Sequence, residues 1–138
     1  MRLLGLFAIF ALVAVCGFVV SSMPAPADDM GMTTCPVFTS IKWVSPMQPP
    51  ESGTQYELTV TQNAMTCAQA TTWAQKLIAQ HIDGKPGLAS YPPLTAGPPE
   101  YVCKGSPDSN GHAWRGHCLK QGKTVFAPGF TWSNHATP

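Results

Sequence analysis

Residues 56–84 read YELTVTQNAMTCAQATTWAQKLIAQHIDG, and the pattern changes period in the middle. Tyr56, Leu58 and Val60 alternate with Glu57, Thr59 and Thr61, so a strand over 56–61 puts three apolar side chains on one face and three polar ones on the other. From Thr66 the period becomes helical: Ala70, Trp73, Ala74, Leu77, Ile78 and His81 fall on one stripe. Thr66 is a natural N-cap, and Gln69, three residues on, completes a capping box. The other face, Gln69, Thr71, Thr72, Gln75, Lys76 and Gln80, suits water. Asp83-Gly84 followed by Pro86 is a stop signal, since Gly84 can take the left-handed conformation that ends helices. A one-faced strand followed by a one-striped helix predicts a helix lying on a sheet. Trp73, Leu77 and Ile78 should lead the contact.

The flanks supply more strands. Val37–Val44 is rich in β-branched and aromatic residues, with Val37, Ile41 and Trp43 expected on one face. Ser45–Thr54 carries Pro46, Pro49 and Pro50 and reads as a loop. Asp83–Pro99 is a longer loop, with Pro86, Pro92, Pro93, Pro98 and Pro99. Glu100–Lys104 and Gly111–Leu119 read as strands joined by a turn-rich segment, and Gln121-Gly122 as a tight reversal into Lys123–Phe126. The tail from Pro128 holds Phe130 and Trp132, which should fold back because large aromatics are costly to leave in water. The expected fold is α+β: an antiparallel sheet of about four to five strands with one helix packed on one face, held by two disulfides.

The cysteines set the compartment. Leu3–Val20 is almost wholly apolar, follows Arg2 and gives way to small residues ending in Ala25-Pro26-Ala27, the order of a secretory signal. Residues 1–27 are therefore expected to be a signal peptide, with an uncleaved anchor as the alternative. Residues 28–36 would be a flexible N-terminal arm and 37–138 one small disulfide-stabilised domain. Cys16 lies in the leader, while Cys35, Cys67, Cys103 and Cys118 lie beyond it, an even set suited to two bridges in an oxidising compartment. Of the three connectivities, Cys67–Cys103 with Cys35–Cys118 is favoured. A strand returning from the far end of the helix would finish near the helix start.

Charge excludes some partners. Beyond residue 27, seven Lys and Arg balance seven Asp and Glu without clustering, so the basic stripe that a nucleic acid demands is missing. A polybasic membrane site is missing for the same reason, and membrane contact would come only through an uncleaved leader. The cysteine spacings do not suit zinc, and His81, His112, His117 and His135 form no ligand motif. His112 and His117, five apart on a strand, should face opposite ways, and His81 should be a partly buried packing residue. No G-x-S-x-G, H-E-x-x-H, phosphate loop or dinucleotide fingerprint occurs. No cofactor, metal site or catalytic residue is expected.

Tyr56–Trp132 resembles a type of small exported four-cysteine domain common in high-GC Gram-positive bacteria. The resemblance rests on Cys67-Ala68-Gln69-Ala70 opening the helix, on Tyr101-Val102-Cys103, and on Cys118 ahead of Gln121-Gly122-Lys123 and Phe126. It implies an α+β fold and export and carries no activity. Cys35-Pro36-Val37, with Trp114-Arg115-Gly116 and Val125-Phe126, is also similar to segments of the subtilisin-inhibitor-like proteins, where a Cys-Pro loop meets the protease.

The function expected from the sequence is a secreted or cell-envelope binding module, not an enzyme, with an extracytoplasmic protein or envelope component as partner. A secreted serine-protease inhibitor is the alternative, and a small hydrolase or metal binder the third reading. The Pro-rich loop is the expected binding surface through Leu88, Tyr91 and Leu94, because prolines pre-set an extended backbone and Tyr offers contact area with few rotors to freeze.

Overall fold

The computed structural model describes residues 31–61, 64–86, 91–122 and 127–136. Within them the chain runs β1 (Met32–Thr34), β2 (Phe38–Val44), β3 (Ser52–Thr61), α1 (Cys67–Ile78), β4 (Pro93–Leu94), β5 (Tyr101–Pro107), β6 (Ala113–Lys120) and β7 (Gly129–Asn134). The leader at 1–27, Leu88 and the strand expected at Lys123–Phe126 lie outside the described residues.

All seven strands form one antiparallel sheet in the order β1-β3-β7-β6-β5-β4, with β2 also on β3. β1 pairs with Thr59–Thr61 and β2 with Ser52–Tyr56, so two strands share one edge of β3. The α+β expectation stands, and the strand count is higher than the four to five expected. Three strands account for the difference. β1 lies in the expected arm 28–36, β4 in the Pro-rich loop and β7 in the tail. β1 and β4 are too short to show a period of two, and pairing with a long neighbour supplies what their own sequences do not.

The alternation of 56–61 behaves as the period dictates. Tyr56, Leu58 and Val60 are buried, and with Phe130, Trp132 and Cys118 they form the core beneath α1. The capping box is complete: Thr66 Oγ1 accepts from the Gln69 N–H at 3.3 Å, and Gln69 Oε1 accepts from the Thr66 N–H at 3.0 Å. The buried stripe of α1 is Ala70, Ala74, Leu77 and Ile78. Trp73, expected to lead it, is only partly buried at the rim of the core, with the Lys76 ammonium 4.7 Å from its ring. Small residues face the sheet because they let the helix approach it closely, and the indole is displaced to the side.

Two glutamines of the expected wet face are engaged. Gln75 Nε2 donates to the Thr39 carbonyl at 3.0 Å. The Gln80 amide donates to the Thr95 carbonyl at 2.6 Å and accepts the Thr95 N–H at 2.9 Å, so it ties the Pro-rich loop to the helix end as a short piece of β-ladder would. The helix ends at Ile78, ahead of the Asp83-Gly84 signal. His81 has already turned away to bridge His112, and the Ile82 N–H bonds the Gly111 carbonyl at 2.6 Å.

β2 is irregular. Thr39 and Trp43 are four residues apart, yet their partners Gln55 and Gly53 are two apart. The bulge breaks the face-sharing expected of Val37, Ile41 and Trp43: the first two are exposed and Trp43 is buried against Gly53, where a Cβ would meet the indole. Tyr56 satisfies the bulge by donating its hydroxyl to the Ile41 carbonyl at 2.8 Å. Burial, with the Asp108 carboxylate adding to it, pushes this phenol well above its usual range.

The four cysteines form two bridges, and the pairing differs from the favoured one. They are Cys35–Cys67 and Cys103–Cys118. Cys103 and Cys118 are directly opposed in the β5–β6 ladder, so a local hairpin contact takes the pair that the long-range argument assigned elsewhere. Cys35, following β1 on the edge of β3, then meets the first residue of α1, which follows the same strand. Three of these cysteines are buried, and two closed bridges fit an oxidising environment.

Candidate functional site

α1 covers one face of the sheet. The opposite face is open, and its composition follows from register, because directly opposed residues of antiparallel strands point the same way. Three rows cross it. The first runs Glu57, Ser133, Arg115 and Ser106, the second Thr59, Thr131, His117 and Lys104, and the third Thr61, Gly129, Leu119 and Val102. Charged residues stand in the first row (Glu57, Arg115) and the second (Lys104), and the apolar side chains Leu119 and Val102 in the third. Leu119 is 42% exposed and Val102 44%.

A groove of about 660 Å³ lies on this face, lined by Glu57, Ser133, Arg115, Thr131, His117 and Leu119, with Tyr91 as its wall. Tyr91 comes from the Pro-rich loop. The Gly105 N–H bonds the Pro92 carbonyl at 3.0 Å, and this pins the loop to β5. The phenol ring then packs on His117, centroids 5.7 Å apart and tilted by 59°. Desolvation in that contact lowers the His117 pKa from the usual imidazole range, and the Lys104 ammonium lowers it further. At neutral pH His117 is therefore neutral, an apolar-faced ring with one donor and one acceptor.

The charges around the groove are individually held. Arg115 Nε donates to Asn134 Oδ1 at 3.0 Å, and its guanidinium lies 4.4 Å from the Trp114 ring centroid. Stacking and one hydrogen bond orient the fork and leave its terminal donors free of protein partners among the described residues. On the other flank, His135 Nδ1 is 2.7 Å from Glu57 Oε1. Glu100 and Lys120 close the strand ends at 3.0 Å, and that hydrogen bond raises the Lys120 pKa.

Of the three expected binding residues, Tyr91 is at the groove and Leu94 is not. Leu94 is half-buried, opposes Cys103 and packs against the core on the helix side. Leu88 lies outside the described residues. Arg115, His117 and Thr131 carried no motif in the sequence. The one signal for them was the odd-numbered alternation along β6 and β7, which is legible only once the other face is known to be covered.

The remaining clusters are structural. Asp108 is buried, and its carboxylate accepts the N–H groups of Val44 at 3.0 Å, Asn110 at 2.8 Å and His112 at 2.9 Å, which fixes the β5–β6 turn. His81, expected to be partly buried, has a side chain 67% exposed and packs edge-on to His112. It sits over Gly111, whose missing Cβ makes the room. No group of three or more His, Cys, Asp or Glu among the described residues could hold a metal ion. No helix among them is long and apolar enough to cross a membrane.

No family model matches the chain, and neither does a curated protein or a solved structure.

Proposed function

We propose that this protein is an exported, non-enzymatic binding module whose ligand seat is the groove between Tyr91 and the open face of the sheet. The observation that carries this reading is the packing of Tyr91 on His117 beside solvent-facing Leu119 and Thr131. An aromatic wall held by a proline-set loop, with polar groups of fixed geometry below, suits ligand capture at low entropic cost. Export rests on the leader of residues 1–27 together with the two disulfides. The test is heteronuclear NMR of the domain titrated with extract of its own cell envelope. Shifts clustered on Tyr91, His117, Leu119 and Thr131, and lost in Tyr91→Ala, support the reading. Shifts confined to other surfaces overturn it.

The inhibitor reading would use Cys35-Pro36-Val37. That segment links β1 to β2 along one edge of β3, and the Cys35 N–H is bonded to the Leu58 carbonyl at 2.8 Å. A reactive loop has to stand off its scaffold, so this placement favours the groove. Stoichiometric inhibition of a secreted serine protease would reverse that preference.

A further inference from the structure

Resting on the groove reading, we propose that the ligand is a neutral, straight-chain glycan that crosses the strands along the row of Thr34, Thr59, Thr131 and His117 and ends against the Tyr91 ring. Register carries the argument. Thr34 opposes Thr59, Thr59 opposes Thr131 and Thr131 opposes His117, so β1, β3, β7 and β6 each place one polar side chain in line on the open face. Neighbouring strands lie about 4.8 Å apart, which sets the spacing of the row and gives it a span of roughly 14 Å. A pyranose ring in a β-1,4-linked chain is about as long as one such step, so a straight glycan presents hydroxyls at the period of the row. The groove holds the Tyr91 end, from Thr131 to the ring, and Thr59 and Thr34 continue the row beyond it.

The chemistry of the row favours an uncharged ligand. A threonine hydroxyl both donates and accepts, and the neutral His117 ring brings one donor and one acceptor, which is what sugar hydroxyls require. No side-chain hydrogen bond among the described residues engages the hydroxyls of Thr34, Thr59 or Thr131. Thr61, in the next row, instead commits its hydroxyl to the Gly129 backbone, at 2.6 Å from the N–H and 3.1 Å from the carbonyl. The charges beside the row are drawn aside: the Arg115 guanidinium lies on Asn134 and the Trp114 ring, and the Glu57 carboxylate is turned to His135. Lys104, opposite His117, marks where the neutral run ends. Tyr91 is 36% exposed and fixed by its packing on His117, so it offers ring surface to the C–H face of a terminal sugar. An apolar ligand would strip the row of water and return no hydrogen bonds.

The experiment titrates the protein with cellohexaose, chitohexaose and mannohexaose, all straight β-1,4 chains, and with maltohexaose, a coiled α-1,4 chain, followed by amide shifts in heteronuclear NMR. At least one straight chain should shift Thr34, Thr59, Thr131, His117 and Tyr91 together, with affinity rising from its disaccharide to its tetrasaccharide. Maltohexaose should bind about tenfold more weakly. Thr59→Val and Thr131→Val, which keep the β-branched shape, should each weaken binding about fivefold, while Thr33→Val, on the other face of β1, should not change it. Equal binding of maltohexaose, tighter binding of the cationic glucosamine hexamer than of chitohexaose, or affinity unchanged in both Val variants overturns the glycan proposal. If no straight chain shifts the row while envelope extract still shifts Tyr91 and His117, the glycan falls and the groove stands. If the extract shifts neither residue, both fall.

Discussion

The ring of Tyr91 rests on that of His117 at 5.7 Å, and so joins a proline-rich loop to the centre of the open sheet face. Leu94, three residues further on, points to the other side of the sheet, into the core. The two should separate stability from binding. Tyr91→Ala should cost less than about 1 kcal/mol in denaturant melts, because the side chain is exposed, and should remove binding at the groove. Leu94→Ala should cost about 1–3 kcal/mol and leave the groove intact.

Gln80 offers a second handle on the same loop. Its amide holds the Thr95 backbone through two hydrogen bonds and accepts a third from the Thr95 hydroxyl. Gln80→Ala should cost about 1 kcal/mol and speed amide exchange at Thr95, with the backbone of β3 unaffected.

Helix packing predicts an unequal pair. Leu77→Ala should cost about 2–5 kcal/mol because Leu77 is fully buried under the sheet. Trp73→Ala should cost clearly less, because that ring is only partly buried and is sheltered by Lys76. Thermal melts of the two variants at one pH decide the order, and equal losses would place the indole in the core.

Peptide mapping without reduction should recover Cys35 linked to Cys67 and Cys103 linked to Cys118. Removing either bridge should cost about 3–4 kcal/mol, with the larger effect for Cys35–Cys67, which closes 32 residues against 15. Such a loss is a large share of a domain's whole stability, about 5–15 kcal/mol.

The lowered pKa of His117 gives a pH dependence with a definite sign. The unfolded chain takes up a proton at about pH 6.5, while the folded protein resists it. The folded state therefore keeps the full benefit of a neutral His117 above that pH, and loses it progressively as pH falls through the lower folded value. His117→Gln should flatten that part of the stability curve. A variant whose melting temperature falls with acid as the parent's does would show that other groups control the slope.

Residues 56–61 and 66–78 were legible because each has one dominant period and a cap that agrees with it. The capping box needed only Thr66 and Gln69, three apart. Three other features depended on partners distant in sequence. The bulge in β2 follows from Trp43 packing on Gly53, the early end of α1 from His81 bridging His112, and β1 from the free edge of β3.

The sequence by itself determined that a one-faced strand and a one-striped helix would meet around an apolar core, and that four cysteines beyond residue 30 would be available to brace it. Periodicity and capping are local, so neighbouring residues suffice to specify them. Only the tertiary structure decided which cysteines paired, since bridging needs Cα atoms about 4–7 Å apart and that proximity is made by register. It also decided that Arg115, His117 and Tyr91 share a groove, because a face becomes a site only when the opposite one is covered.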